Sequence, residues 1–252
     1  MPFLFGILIF WLCSCENPKP GIILPEIPPH TLKDPSSITY DGRYIYIADW
    51  TGSGILVLDA RSQDSEINTL WIKMEDRRPI HVAAIDKNLI AVETDAEDLF
   101  LVEFDPGSAN NTKNVTRLNY AFERKAGTLS CWDGIYMWFF ENNAAFPAVL
   151  LDNRNLSSLP SMKIGIRDNA YDDDESLALA CGWGSDALLL RHPGGYDAIF
   201  NILSTGAQSS RIKLSKDAGH PISLTSIGPG KYAMLAKKEN SFELVPINQE
   251  QK

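Results

Sequence analysis

Five short runs of small and β-branched residues, SSIT, IHVAA, TLSC, LALAC and ISLTS, each follow a charged or imidazole side chain. Those side chains are Asp34, Arg78, Lys125, Asp174 with Glu175, and His220. A second polar set ends the apolar run that comes next: Asp49 and Trp50, Glu93 and Asp95, Glu141 and Asn142, Arg191 and His192, Lys237 and Glu239. Gathered around one opening, these groups would offer both signs of charge, two imidazoles and the Trp50 ring. Such a surface could hold a small polar ligand or a peptide, and the ligand-binding candidates are Asp34, Arg78, Lys125, Asp174, His220, Trp50, Glu93 and His192.

Catalysis finds less support in the residues. The five runs contain no acid, and His81 is their only imidazole. Metal-assisted hydrolysis needs oxygen and nitrogen ligands that converge on one ion and activate water. Glycoside hydrolysis needs a pair of carboxylates at a set separation. Asp34, Glu93 and Asp174 could approach one another, yet no spacing singles out a pair. No G-x-S-x-G element, phosphate-binding loop or HExxH pair occurs. The acidic run 171–175 lacks the alternate-residue spacing and turn glycine of a calcium loop. Neither a metal site nor a cofactor is expected. Asp41, Asp86 and Asp133 recur in YDGR, IDKN and WDGI, where an aspartate satisfies the backbone donors of a turn.

The elements that must position these groups follow from periodicity. After Asp34 come an alternating run, an Asp-Gly turn, the aromatic and β-branched run YIYIAD, a Gly/Ser turn, a further β-branched run and INTLWIKM. The same order begins again near Arg78, Lys125, Glu175 and His220. Ser36, Ile80, Gly127, Ser176 and Ile222 hold comparable positions, in steps of 44, 47, 49 and 46 residues. No segment sustains a helical apolar pattern, so the chain is expected to be all-β. A period of about 40–50 residues with four short strands is the mark of propeller blades. The expected architecture is a five-bladed β-propeller of four-stranded antiparallel blades, near 34–77, 78–124, 125–174, 175–219 and 220–252 within one domain, 21–252. The last repeat lacks a fourth strand. Residues 22–24 are expected to supply it by pairing with 242–246, which would close the ring and remove an open edge. Pro25 suits an edge position.

Composition bounds the partners. A net charge of −9 with no basic run argues against nucleic acid or an anionic membrane surface. The apolar run 3–12 is too short to span a bilayer, which needs about 20 residues, and has the length of a signal-peptide core. Leu12-Cys13-Ser14-Cys15 resembles the lipobox of bacterial lipoproteins. That resemblance implies a signal peptide over 1–14, lipidation of Cys15, a tether over 15–20 and a place in the bacterial cell envelope, with the lipid anchor in the membrane. The segment ahead of the apolar run departs from the pattern, having no Lys or Arg. The competing expectation is secretion in a eukaryote, which the sequons at Asn110, Asn114 and Asn155 fit. Cys131 and Cys181 lie in apolar runs and are read as buried free thiols. A disulfide between neighbouring inner strands is the alternative in an oxidising compartment.

The first repeat, DPSSITYDGRYIYIADWTGSGILVLDA, resembles the NHL- and YVTN-type propeller repeats: a proline before the inner strand, a D-G turn, then an aromatic Ile-Tyr-Ile-Ala-Asp strand. Folds of that family serve as scaffolds, receptors, lactonases and other hydrolases, so the resemblance speaks to architecture more than to activity. The expected function is a non-catalytic propeller that binds a ligand or protein. The alternatives are a metal-assisted hydrolase or lactonase at the channel mouth and a secreted eukaryotic glycoprotein effector.

Overall fold

The computed structural model describes residues 22, 24–61, 69–74, 76–108, 110–120, 129–132, 134–141, 144–152, 155–158, 164–165, 176–181, 186–191, 197–202, 208–213, 216–228 and 230–248. Lys125, Asp133, Asp174, His192 and the acidic run 171–175 lie outside these residues. The described chain contains five sheets. The first holds β1 (Pro35–Tyr40), β2 (Tyr44–Asp49), β3 (Gly54–Asp59) and β4 (Thr69–Lys73), each antiparallel to the next. The second repeats that order with β5 (Pro79–Asp86), β6 (Leu89–Thr94), β7 (Leu99–Phe104) and β8 (Thr112–Arg117).

The first turn shows why this sequence makes a hairpin. Gly42 takes a φ of 96°, which a side chain would resist. The Asp41 carboxylate accepts the Arg43 and Tyr44 amides at 2.8 and 2.7 Å. YIYIAD then runs as a strand buried along its whole length. Aromatic and β-branched residues fill both of its faces because a neighbouring sheet covers each one. Tyr44, Tyr46, Val57 and Ile72 pack with Val82, Val92, Phe100 and Phe104 of the second sheet. On the other side Ile45, Ile47, Leu56 and Leu58 meet Leu235 of the last sheet.

The third sheet departs from the expected four strands. It holds β9 (Asn119–Tyr120), β10 (Leu129–Trp132), β11 (Met137–Glu141), β12 (Ala144–Asp152), β13 (Asn155–Ser158) and β14 (Ile164–Gly165). The outer position is shared between two pieces: β13 pairs with residues 148–152 of β12, and β14 with Ala144 and Ala145. From Asp152↔Asn155 the β13 strand runs back along one part of β12, and Ile164 and Gly165 pair with the other end of β12. NVTRLNYAF also divides. Residues up to Arg117 stay with the second sheet, whereas Asn119 and Tyr120 cross over to pair in parallel with β13.

The fourth sheet is the simple meander expected: β15 (Ser176–Cys181), β16 (Asp186–Arg191), β17 (Asp197–Ile202) and β18 (Gln208–Lys213). The last sheet has three strands, β19 (His220–Gly228), β20 (Lys231–Lys238) and β21 (Ser241–Asn248). Among the described residues no fourth strand joins it, and Ile22 and Leu24 lie outside any strand. Leu24 and Ile27 instead press their side chains against the cluster that contains Leu32, Leu235, Phe242 and Leu244. Pro25, Pro28 and Pro29 withhold the amides that a ladder would use, so side-chain burial takes the place of strand pairing.

Two repeated devices organise the first strands. Pro35, Pro79 and Pro221 occupy one register position, opposite Asp49, Thr94 and Ala236, and Ser176 fills it opposite Arg191. A bulge follows at the same place in all four sheets. Proline fits there because a bulge leaves an amide out of the ladder. This register makes Leu177, one residue later than expected, the counterpart of Ser36.

The second device joins one sheet to another. Ser223 Oγ accepts the Ile38 amide at 3.2 Å, Ser37 Oγ the Val82 amide at 3.3 Å, and Thr39 Oγ1 the Ala84 amide at 2.8 Å. Strand β1 touches β5 and β19, β5 touches β10, β10 touches β15, and β15 touches β19.

Cys131 is disulfide-bonded, which overturns its reading as a buried free thiol. Its strand β10 lies against β15, whose last residue is Cys181.

Candidate functional site

The strands bring the two polar sets together as their order requires. In each sheet the second strand ends where the first begins, so the residues before the first strand meet those after the second. The Trp50 amide donates to the Asp34 carbonyl at 3.1 Å, and the Asp95 amide to the Arg78 carbonyl at 3.0 Å. In the last sheet His220 stands opposite Lys237. This face is called the mouth below.

Its described residues differ in what they do. Asp49 is wholly buried, and its carboxylate accepts the amides of Lys33, Asp34 and Gly52 at 2.8, 2.9 and 3.0 Å. A Cβ on Gly52 would lie 2.7 Å from Asp49 Oδ2, so glycine is needed for that approach. Asp49 therefore shapes the loop, with both oxygens engaged and its side chain closed off from the surface. Asp34 is exposed, with the Thr51 hydroxyl 3.5 Å from its carboxylate. His220 is exposed as well. Trp50 keeps 37% of its surface open, and the Arg78 guanidinium lies 5.2 Å from its ring centroid. That contact joins the first sheet to the second across the mouth. The preceding residue, Arg77, lies 4.2 Å over the Phe100 ring.

Glu93 sits elsewhere than the sequence suggested. Strand β6 continues through Thr94, so the loop begins at Asp95 and Glu93 is wholly buried, in register with half-buried His81. The counterparts of Glu93 are Ala48 and Leu235, both apolar, and alternation along one strand gave no sign that an acid would occupy an inward position. Lys125, Asp174 and His192 lie outside the described residues. Sequence reasoning passed over Arg77, although RR before the strand proline and an aromatic at Phe100 were visible signals.

Of the periodic aspartates, Asp41 and Asp86 lie at the opposite end of the sheets. Asp41 Oδ1 serves its own turn, while Oδ2 accepts the Tyr46 hydroxyl at 2.8 Å and the Asn88 amide of the second sheet at 2.9 Å. Burial, reinforced by the Asp41 charge, pushes the Tyr46 phenol far above its usual range and keeps it a donor. Asp86 is exposed, and among the described residues its carboxylate meets the Lys87 amide alone, at 2.7 Å. Among the described residues no three His, Cys, Asp or Glu side chains converge as metal ligands would.

No family model and no curated sequence matches the chain. Solved structures do match. The glutaminyl cyclase of Myxococcus xanthus aligns with a TM-score of 0.62 at 11% identity, over 90% of this chain and 100% of that one. The β-propeller domain of Cps50 (Swd1) from Myceliophteria thermophila aligns at 0.51 and 8%, over 86% of this chain and 84% of its own. A chain of a nidogen/laminin complex aligns at 0.50 and 11%, over 85% and 75%. At such identities the likeness concerns the fold, and different functions share one fold. The chain is an all-β protein whose four-stranded antiparallel sheets match those of β-propellers.

Proposed function

We propose that this chain is a non-catalytic, five-bladed β-propeller that binds a small polar ligand or peptide at the mouth and is held to the bacterial cell envelope through lipidated Cys15. The stacked pair Trp50 and Arg78 carries the reading of the mouth. An exposed aromatic face and a guanidinium held in place by it are the groups that bind polar ligands at little entropic cost. Of the acids that could have paired for catalysis, Asp34 is exposed and Glu93 is wholly buried, while Asp41 and Asp49 are engaged by hydrogen-bond donors of the fold. The cyclic contacts of β1, β5, β10, β15 and β19 support five blades, with the N-terminal segment sealing the last one by burying Leu24 and Ile27. Within the repeat that resembles the NHL and YVTN type, Asp41 is bonded to Tyr46 at one end of the sheet and Asp49 holds its own loop at the other. The disulfide at Cys131 suits an exported chain.

The mouth is tested by screening the mature chain against a panel of short acidic, basic and neutral peptides by fluorescence polarisation. Binding is expected, weakened at least tenfold by Trp50→Ala and unchanged by Lys87→Ala at the opposite end. Turnover of a peptide, or binding that depends on Lys87 and ignores Trp50, would overturn the reading. The anchor is tested separately by expressing the full chain in a Gram-negative host and fractionating it. The native chain is expected in the detergent-soluble membrane fraction and Cys15→Ala outside it; an equal membrane share for both would refute lipidation.

A further inference from the structure

Arg77 and Arg78 stand apart from the other arginines whose side chains are described. Arg43 reaches the Asp59 carboxylate with Nε and Nη2 at 3.2 and 3.0 Å. Arg117 is ion-paired with Asp98, and Arg61 donates to the Gly42 carbonyl at 3.5 Å. Arg77 and Arg78 are exposed and rest on aromatic rings, Phe100 and Trp50, with no hydrogen bond or ion pair from either guanidinium among the described residues. Asp34 and Asp95 share the mouth, yet neither forms an ion pair with them among the described residues. Asp76 precedes the two arginines in the chain and is exposed too, and it forms no ion pair with either among the described residues.

Their backbone is held. The Arg77 amide donates to the Met74 carbonyl at 3.0 Å, and the Arg78 carbonyl accepts the Asp95 amide at 3.0 Å. A guanidinium over a ring is biased toward one position while its N–H donors remain available to an oxyanion. A planar carboxylate accepts two parallel N–H bonds from such a fork, stronger than neutral ones because both partners are charged.

We propose that Arg77 and Arg78 are the anion-recognising part of the mouth and take a side-chain carboxylate of an acidic peptide, with the open part of Trp50 as the apolar contact beside it. This rests on the mouth being the binding face. The test is titration calorimetry of the mature chain with acetylated, amidated tetraglutamate, in parallel with inorganic phosphate and with tetralysine. Tetraglutamate is expected to bind, with Kd raised at least tenfold by Arg78→Ala and severalfold by Arg78→Lys, which keeps the charge and loses the fork. Arg77→Ala is expected to weaken it as well, and added salt to weaken it throughout. Arg61→Ala, at the far end of the sheets, serves as the control and should bind as the native chain does; melting curves establish that each variant is folded.

Equal affinity in Arg77→Ala/Arg78→Ala and the native chain would overturn the proposal, as would tighter binding of phosphate than of tetraglutamate. Trp50-dependent binding of tetralysine or a neutral peptide, with none of tetraglutamate, would sink it and leave the mouth reading intact. Failure of every peptide in the panel would remove both.

Discussion

Asp41→Ala is expected to lower the unfolding free energy by about 3–5 kcal/mol, read as a shifted midpoint in urea. The carboxylate accepts the amides of Arg43, Tyr44 and Asn88 and the hydroxyl of Tyr46, whose ring is wholly buried. Removing the acceptor leaves these donors without it, and each buried donor so stranded costs about 1–3 kcal/mol. The sum is moderated because the turn lies close enough to solvent for water to reach some of them. Asp41→Asn retains one acceptor oxygen but turns an amide N–H₂ toward the Tyr46 and Asn88 donors, so an intermediate loss is expected. Asp86→Ala is the internal comparison. Among the described residues its carboxylate meets the next amide alone, on an exposed turn, and the expected change is within about 0.5 kcal/mol. Equal stability of Asp41→Ala and Asp86→Ala would show that the link to Asn88 and Tyr46 does not matter.

The second large effect is expected from the disulfide. Cys131 is cross-linked, and β15, which packs on β10, ends in Cys181. A bridge between these two residues would close a loop of about 50 residues, for which lost chain entropy in the unfolded state corresponds to about 4 kcal/mol. Cys131→Ser, or a reductant, is expected to lower the melting temperature by about 10 °C, since about 1 kcal/mol moves the midpoint by 2–4 °C at this size. Non-reducing peptide mapping should recover one cross-linked species that contains both cysteines. A melting temperature that ignores reduction, with loss of the cross-link confirmed by mass, would show that the bond adds nothing to the fold.

Much of the architecture was legible because it rests on local rules. The Asp41-Gly42 turn, the alternating runs and the prolines at 35, 79 and 221 each declare a strand boundary within a few residues. Where pairing depends on distant partners, the sequence was less informative. Nothing in NVTRLNYAF marks the point after Arg117 where the chain leaves one sheet for another, nor does SMKIGI show that Asn155–Ser158 will occupy most of its edge. The N-terminal segment has the apolar residues of a strand, but its prolines direct it to side-chain packing.

The candidate site divides in the same way. Asp34, Arg78, Trp50 and His220 reach the mouth because the first and second strands of any such meander meet there. Glu93 was misjudged by two residues of strand length, the distance between a loop acid and a buried one. The stacking of Arg78 on Trp50 joins residues 28 positions apart in different sheets, and only the three-dimensional arrangement brings it to light.

The hydroxyls of Ser37, Thr39 and Ser223 bind main-chain amides of the neighbouring sheet. A main-chain amide is the same whatever side chain stands beside it. These three bonds therefore make no demand on the side chain of the residue they grip, whereas the apolar contacts beside them, such as Tyr44 and Tyr46 on Phe104, do. A change of side chain at Ile38, Val82 or Ala84 leaves the amide that each bond uses in place. The grip is not repeated in every unit: at the positions of Ser37 and Thr39 the second repeat carries His81 and Ala83.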